Sequence, residues 1–178
     1  MTDPKSLPPE ETTWEGKWIA TKKRGKWEYA TRTREVRAAV ILAVDHGEVL
    51  LIEQFRVPLN RNCLEMPAGL IGDDAGGEDD DPLSAAKREL EEETGYIADH
   101  WEELGEFYSS PGMVTESFTL LKASGLTKVS AGGGVEGENI TVHRVKLSEI
   151  EQFIADFRAG DYAIDVRMLM LLGPKLLG

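Results

Sequence analysis

The sequence predicts an α/β fold in which a mixed β-sheet carries helices on both faces, an α/β/α sandwich. Three observations carry this reading. Short β-branched and aromatic segments recur along the chain, most of them next to a hairpin turn, and they are interrupted by helical stretches. No internal repeat or coiled-coil heptad is visible. At 178 residues, with 41% hydrophobic and 29% charged side chains, the chain suits one globular domain with a proper core and is too short for two ordinary ones.

The stretch from Met1 to Glu11 is polar with three prolines and has no apolar signal-peptide core, so residues 1 to about 12 are expected to be a loose tail. Glu15 to Ala20 and Trp27 to Arg32 read as short aromatic strands around the turn Lys23-Arg24-Gly25-Lys26. Val36–Val44 and Val49–Phe55 are β-branched runs around Asp45-His46-Gly47-Glu48, a hairpin turn. Leu104–Tyr108, Ser117–Ala123 and Ile140–Leu147 alternate as strands, and the glycine-rich stretch Ser124–Asn139 reads as a long flexible loop. Ser148–Phe157 is amphipathic with Ser148 as N-cap, and a last helix runs from about Ile164 to Leu172.

The best-marked helix lies in the middle. Asp81 is its N-cap, Pro82 its first residue and Gly95 its stop after Thr94. On a helical wheel Glu89, Glu92 and Glu93 share one face, with Arg88 beside them, while Leu83, Ala86 and Leu90 form an adjoining face fit for burial. Carboxylates at i, i+3 and i+4 repel one another unless a cation lies between them. Hard oxygen donors in such a cluster suit Mg²⁺ or Mn²⁺ rather than zinc. The alternative is a solvated, Glu-rich surface helix.

The grammar around those carboxylates decides for the metal. Arg88-Glu89-Leu90-Glu91-Glu92-Glu93-Thr94-Gly95 resembles the second half of the signature of the Nudix hydrolase family, Arg-Glu-aliphatic-x-Glu-Glu-x-Gly-aliphatic, with Tyr96 in the final aliphatic place. Gly69 opens the motif, Gly72 to Asp81 carries an insertion, and either Asp80 or Glu78 fills the first acidic place. Leu51-Ile52-Glu53-Gln54-Phe55-Arg56, Cys63-Leu64-Glu65-Met66-Pro67-Ala68-Gly69-Leu70 and Ser110-Pro111-Gly112 narrow the resemblance to the ADP-sugar pyrophosphatases, and it extends from about Glu15 to Leu172.

This resemblance implies a Nudix-type sandwich over residues 35–178, preceded by a tail and β-meander over 1–34 that serves dimerisation and base binding. It implies that the carbonyl of Ala68 with Glu89 and Glu93 holds divalent ions, Mg²⁺ or Mn²⁺, that Glu92 completes the cluster, and that Arg88 fixes a glutamate carboxylate. Arg56 would face the diphosphate or terminal ribose, against the alternative of a surface salt bridge. Glu136 and Glu138 would supply a general base and a further metal ligand, in that order or exchanged. Leu70, Ser110, Pro111 and Gly112 would line the substrate site. Trp18 and Trp27, one from each subunit of a homodimer, would sandwich the adenine, with Glu28 reading the base edge and Arg32 on phosphate or ribose. Otherwise the two tryptophans are simply the core of the meander.

A formal net charge of −12 argues against nucleic acid or an anionic membrane as partner, so phosphates must be met through recruited cations. The single cysteine, Cys63, reads as a packed thiol in a cytoplasmic protein. Ala38–Val44, the longest apolar run, is too short to span a bilayer. The expected activity is metal-dependent hydrolysis of a nucleoside diphosphate sugar, ADP-ribose to AMP and ribose 5-phosphate. GDP-mannose or another nucleotide sugar is the competing substrate, and a non-catalytic nucleotide-sugar sensor is the competing class.

Overall fold

The computed structural model describes residues 7–34, 36–72, 81–135 and 137–177. It opens with a three-stranded antiparallel meander of β1 (Glu11–Glu15), β2 (Ile19–Arg24) and β3 (Trp27–Arg32). The expected tail therefore ends earlier than the sequence suggested. Beyond Pro9 nothing interrupts backbone pairing, and Glu11–Glu15 pairs with β2 across a bulge at Thr13, whose hydroxyl lies 2.8 Å from that of Thr21.

The main sheet contains β4 (Arg37–Asp45), β5 (Glu48–Arg56), β6 (Arg61–Glu65), β7 (Ala68–Ile71), β8 (Tyr96–Tyr108), β9 (Ser117–Lys128), β10 (Thr141–Lys146) and β11 (Ala163–Ile164). Its path is β11-β6-β5-β4-β9-β8, with β10 also on β5 and β7 also on β4. Pairing is parallel at β4–β9 and β6–β11 and antiparallel elsewhere, so the sheet is mixed as predicted. The hairpin of β4 and β5 pairs only at its turn, through Val44–Val49 and Asp45–Glu48. Further along, β4 turns to β7 and β9 while β5 turns to β6 and β10, and the main cleft draws residues from both groups.

The period of two along β4 explains its unbroken apolar run. Ala39, Ile41 and Ala43 pack under helix α1 (Pro82–Thr94), whereas Val40, Leu42 and Val44 pack with Ile150 and Ile154 of α2 (Ile150–Ala159) and with Leu171 and Leu172 of α3 (Leu169–Leu176). A strand covered on both faces needs apolar residues at every position. This is the α/β/α sandwich.

Helix α1 has the predicted bounds. The Asp81 carboxylate accepts from the amides of Leu83 (2.9 Å) and Ser84 (3.1 Å), and Gly95 ends the helix at φ 74°. Ala85, Ala86 and Leu90 are fully buried against the sheet, and Tyr96 joins the same core. Leu90→Ala is expected to cost about 2–5 kcal/mol, read as a lowered urea midpoint with an unchanged slope.

Four boundaries differ from the sequence reading. β8 starts at Tyr96 rather than Leu104, and β9 continues to Lys128, taking Ser124–Lys128 out of the supposed loop. Only Tyr96, Ala98 and Trp101 of the first half of β8 pack on the core, so its polar residues hide the alternation. Ser148 is no N-cap, because a 3-10 turn over Leu147–Glu149 precedes α2. Ala163 and Ile164 pair with Cys63 and Leu64, and the Asp165 carboxylate caps a second 3-10 turn by accepting from the Arg167 amide (2.8 Å), which delays α3 to Leu169. Among the described residues no helix is long and apolar enough to cross a membrane.

Candidate active site

A cleft of about 790 Å³ receives residues from α1, from the strands that diverge beside it, and from the loop after β9. Helical spacing brings Glu89 and Glu93 one turn apart with Glu92 between them, and all three line the cleft with Ala68, Gly69 and Leu70 of β7. Glu93 is only 5% exposed, and one of its carboxylate oxygens accepts from the Ala68 amide at 2.9 Å. Burial pushes the Glu93 carboxyl up to about 8; the Ala68 amide opposes this, and the negative charges of Glu89 and Glu138 add to it.

Gly69 lies where no side chain fits. A Cβ there would stand 1.9 Å from the Glu89 carboxyl carbon, so the missing side chain gives that carboxylate its place over the β7 backbone. Arg88 borders the same group, its Nη2 3.9 Å from Glu89 Oε1. Among the described residues no three His, Cys, Asp or Glu side chains already converge to ligand distance. Like charges stand apart until a cation joins them, and the set offers what a hard divalent ion takes: clustered carboxylate oxygens, one of them buried and disfavoured as a bare anion. The residues fit such an ion, with Glu89, Glu92, Glu93 and Glu138 as the carboxylates that would hold it.

A second group in the cleft is cationic. Arg56 donates through Nε and Nη2 to the two oxygens of Glu65, each at 2.7 Å, and Glu65 is 3% exposed. Arg167 approaches the same carboxylate at 3.5 Å and binds Asp165 at 2.6 and 2.9 Å. The expected alternative for Arg56, a surface salt bridge, is thus half right: it is paired, but to a buried partner within the cleft. Arg32 also lines the cleft and binds Glu116 through Nε (3.1 Å) and Nη2 (2.7 Å).

Glu138 reaches the cleft from the loop, where its carboxylate accepts from the Val135 amide at 2.9 Å. Glu136 lies outside the described residues, as do Glu78 and Asp80, the two candidates for the first acidic place of the motif. The loop is not the free segment that its composition suggested. Its amides at Val129, Ser130, Gly133 and Gly134 donate to carbonyls at the end of α1.

Other expected site residues do not line this cleft in the single chain. Trp18 and Trp27 are 50% and 58% exposed, which rules out their being the core of the meander, and Glu28 is exposed beside Lys23. Ser110, Pro111 and Gly112 form a turn whose Ser110 carbonyl accepts from Met113 and Val114, while the neighbouring Ser109 lines the cleft. This turn docks the meander, since Ala30 exchanges backbone hydrogen bonds with Met113 (2.9 Å) and Thr115 (3.1 Å). Sequence reasoning passed over Glu65, Glu116, Asp165 and Arg167. Glu65 stood in a quoted motif without a role, and Arg167 sat in a stretch read as helix.

Similarity to known proteins agrees with this geometry. Residues 33–162 match the NUDIX domain family. The chain is 36% identical over 124 residues to the methanol dehydrogenase activator of Bacillus methanolicus, covering 69% of this chain and 64% of that protein. It is 38% identical over 112 residues to the ADP-ribose pyrophosphatase of Bacillus subtilis, with 62% and 58% covered. It is 34% identical over 147 residues to the GDP-mannose pyrophosphatase of Klebsiella pneumoniae, with 76% and 71% covered. The matches thus span less than two thirds of the first two relatives. A crystal structure of an ADP compounds hydrolase superposes with a TM-score of 0.71 over 97% of this chain and 94% of its own at 21% identity, which shows the fold. By the family match over most of its length and by the carboxylates that its central helix carries into the cleft, the chain belongs to the Nudix hydrolase family.

Proposed function

We propose that the chain hydrolyses the diphosphate of a nucleoside diphosphate sugar with the help of a divalent cation, and that its substrate is ADP-ribose, split to AMP and ribose 5-phosphate. The observation that carries this reading is the juxtaposition, in one cleft of about 790 Å³, of the carboxylates of Glu89, Glu92 and Glu93 with the guanidinium of Arg56. Such a volume accommodates a ligand of nucleotide-sugar size. When bound, Mg²⁺ or Mn²⁺ supplies charge neutralisation at the diphosphate oxygens and lowers the pKa of water. Arg56 orients the diphosphate through paired N–H donors. The water oxygen bonds to one phosphorus while the bridging oxygen leaves with the other, and the proton of the water passes to a loop carboxylate, Glu136 or Glu138. The fit of the residues and the similarity to an ADP-ribose pyrophosphatase support the reading.

The longer alignment with a GDP-mannose pyrophosphatase favours GDP-mannose as the second substrate reading. Product analysis over a panel of nucleoside diphosphate sugars, with Mg²⁺ and with Mn²⁺, tests both. ADP-ribose is expected to give a kcat/KM at least about tenfold above GDP-mannose, roughly the discrimination available to 1.4 kcal/mol. The opposite ranking would install the second reading, and binding without turnover of any member would make the chain a sensor.

The proposal includes a homodimer in which Trp18 of one protomer and Trp27 of its partner stack on the adenine. The half-exposed indoles support it, because exposed apolar rings on an otherwise polar sheet suit contact with a second surface. Trp18→Ala and Trp27→Ala are each expected to raise KM for ADP-ribose far more than they lower kcat, since stacking is equal in ground and transition states. A fully active monomer at micromolar concentration in sedimentation would end this part of the proposal.

A further inference from the structure

We propose that Gly132-Gly133-Gly134 is a positioning clasp that fixes the loop carboxylate of Glu138 against helix α1. The last carbonyls of a helix have no partner within it. Here the carbonyl of Glu93 accepts from the Gly133 amide (2.9 Å) and that of Glu92 from the Gly134 amide (3.0 Å). The two residues bound by the clasp are two of the three that, with Glu89, extend carboxylates into the cleft. One step further along, the Val135 amide donates to the Glu138 carboxylate at 2.9 Å. Three consecutive backbone amides thus tie the last turn of α1 and the loop carboxylate to one short stretch of chain.

The contact is too close for side chains. A Cβ on Gly132 would stand 2.4 Å from the Thr94 carbonyl carbon and 2.6 Å from the Gly95 nitrogen, both backbone atoms that cannot swing aside. Gly132 also holds φ +69°, where an L side chain is strained. A Cβ on Gly134 would instead strike Glu138 Oε2 at 2.3 Å, the oxygen that Val135 holds. The far end of the loop is pinned by Ile140, whose amide donates to the Gly133 carbonyl at 3.1 Å and whose side chain is buried. A helix cap as such needs donors and not this glycine packing, and Gly95 already caps α1 through its own amide. What the packing adds is the distance between loop and helix.

The kinetic part of this inference rests on the hydrolase reading; the structural part does not. In the unmodified chain the amides of Gly133 and Gly134 are expected to exchange with deuterium as slowly as the amides in the last turn of α1. Exchange at the rate of an unstructured peptide would overturn the clasp, whatever the chain catalyses. With ADP-ribose and Mg²⁺, Gly132→Ala is expected to lower kcat by up to about 10²-fold, the scale of an ångström's misplacement, with KM moved less than about threefold. Made on top of Glu138→Gln, the same change is expected to lower kcat no further, because the carboxylate that it misplaces is gone. Full additivity in this double-mutant cycle would show that Gly132 does not act through Glu138 and would overturn the positioning role. If Gly132→Ala fails to fold, Gly134→Ala, whose Cβ meets only side-chain atoms, takes its place in the cycle with the same expectation.

Discussion

Glu93→Gln is expected to lower turnover of ADP-ribose by roughly 10²–10³-fold, the scale of losing one preorganised electrostatic contact to the transition state. The fold should survive. The amide has the same volume and helix propensity, and its oxygen can still accept from the Ala68 amide that now binds Glu93 at 2.9 Å. What it cannot do is offer a negative charge to a hard cation. Glu92→Gln should behave alike in kcat, but Glu92 is exposed and its loss should leave stability untouched. Near-normal turnover of both variants at saturating Mg²⁺ would remove the helix from the mechanism.

The same substitution is expected to raise stability when no divalent cation is present. Burial lifts the Glu93 carboxyl from its ordinary 4.5 to about 8. Between those values the folded chain keeps a proton that the unfolded chain has released. Stability therefore falls as pH rises from 4.5, by up to about 5 kcal/mol, and levels off above about 8. Glu93→Gln has no such proton to lose, so with EDTA its Tm should exceed that of the parent chain at pH 8 and match it at pH 4.5. If Mg²⁺ binds the folded carboxylate as proposed, it should narrow the difference by stabilising the parent alone. Parallel pH profiles in EDTA would mean that the carboxylate is not desolvated. A helix carboxylate that destabilises its own fold is what a residue kept for binding looks like, and the two readouts together separate it from a structural one.

The parts legible in the sequence are those where one local rule decides. Asp81, Pro82 and Gly95 each act through backbone geometry within four residues of themselves, and α1 has the bounds they set. The β-branched run Val36–Val44 could be read as a strand from composition alone, whereas the cover on both of its faces comes from the helices that the fold lays over it. The parts missed depend on pairing at a distance. The first half of β8 is held by β9 and not by its own pattern, and β11 exists because β6 offers an open edge. Composition made the Gly132–Gly134 run look free, whereas glycine there permits contact too close for any other residue. In the site, the helix carboxylates were readable from their spacing, but Glu65 and Arg167 are 102 residues apart and only the fold brings them within 3.5 Å. Nothing in a single sequence marks such a pair.

Removing the hub of that cationic group should affect stability and substrate binding together. Glu65→Ala is expected to destabilise the chain by about 1–3 kcal/mol, because it removes a buried, fully hydrogen-bonded carboxylate, while the Arg56 side chain that it leaves unpaired is 41% exposed and can turn to water. Glu65 is 3% exposed and uses both oxygens on Arg56, and it also lies 3.5 Å from Arg167. Its hydrogen bonds are the main reason that the Arg56 guanidinium is held above its ordinary value, ahead of the opposing effect of burial. The two arginines are not stranded equally. Arg167 keeps Asp165 at 2.6 and 2.9 Å, whereas among the described residues Arg56 has no second carboxylate at hydrogen-bond distance, so it is Arg56 that loses its orientation. The variant that does fold should therefore show a raised KM for ADP-ribose, and Arg56→Ala made in the Glu65→Ala background should cost little more stability. Glu65→Gln, which keeps the volume and one acceptor, should fall between the parent and the alanine variant in a urea titration. A loss below about 1 kcal/mol for Glu65→Ala is the value of an exposed pair, and it would return Arg56 to the status of a surface salt bridge.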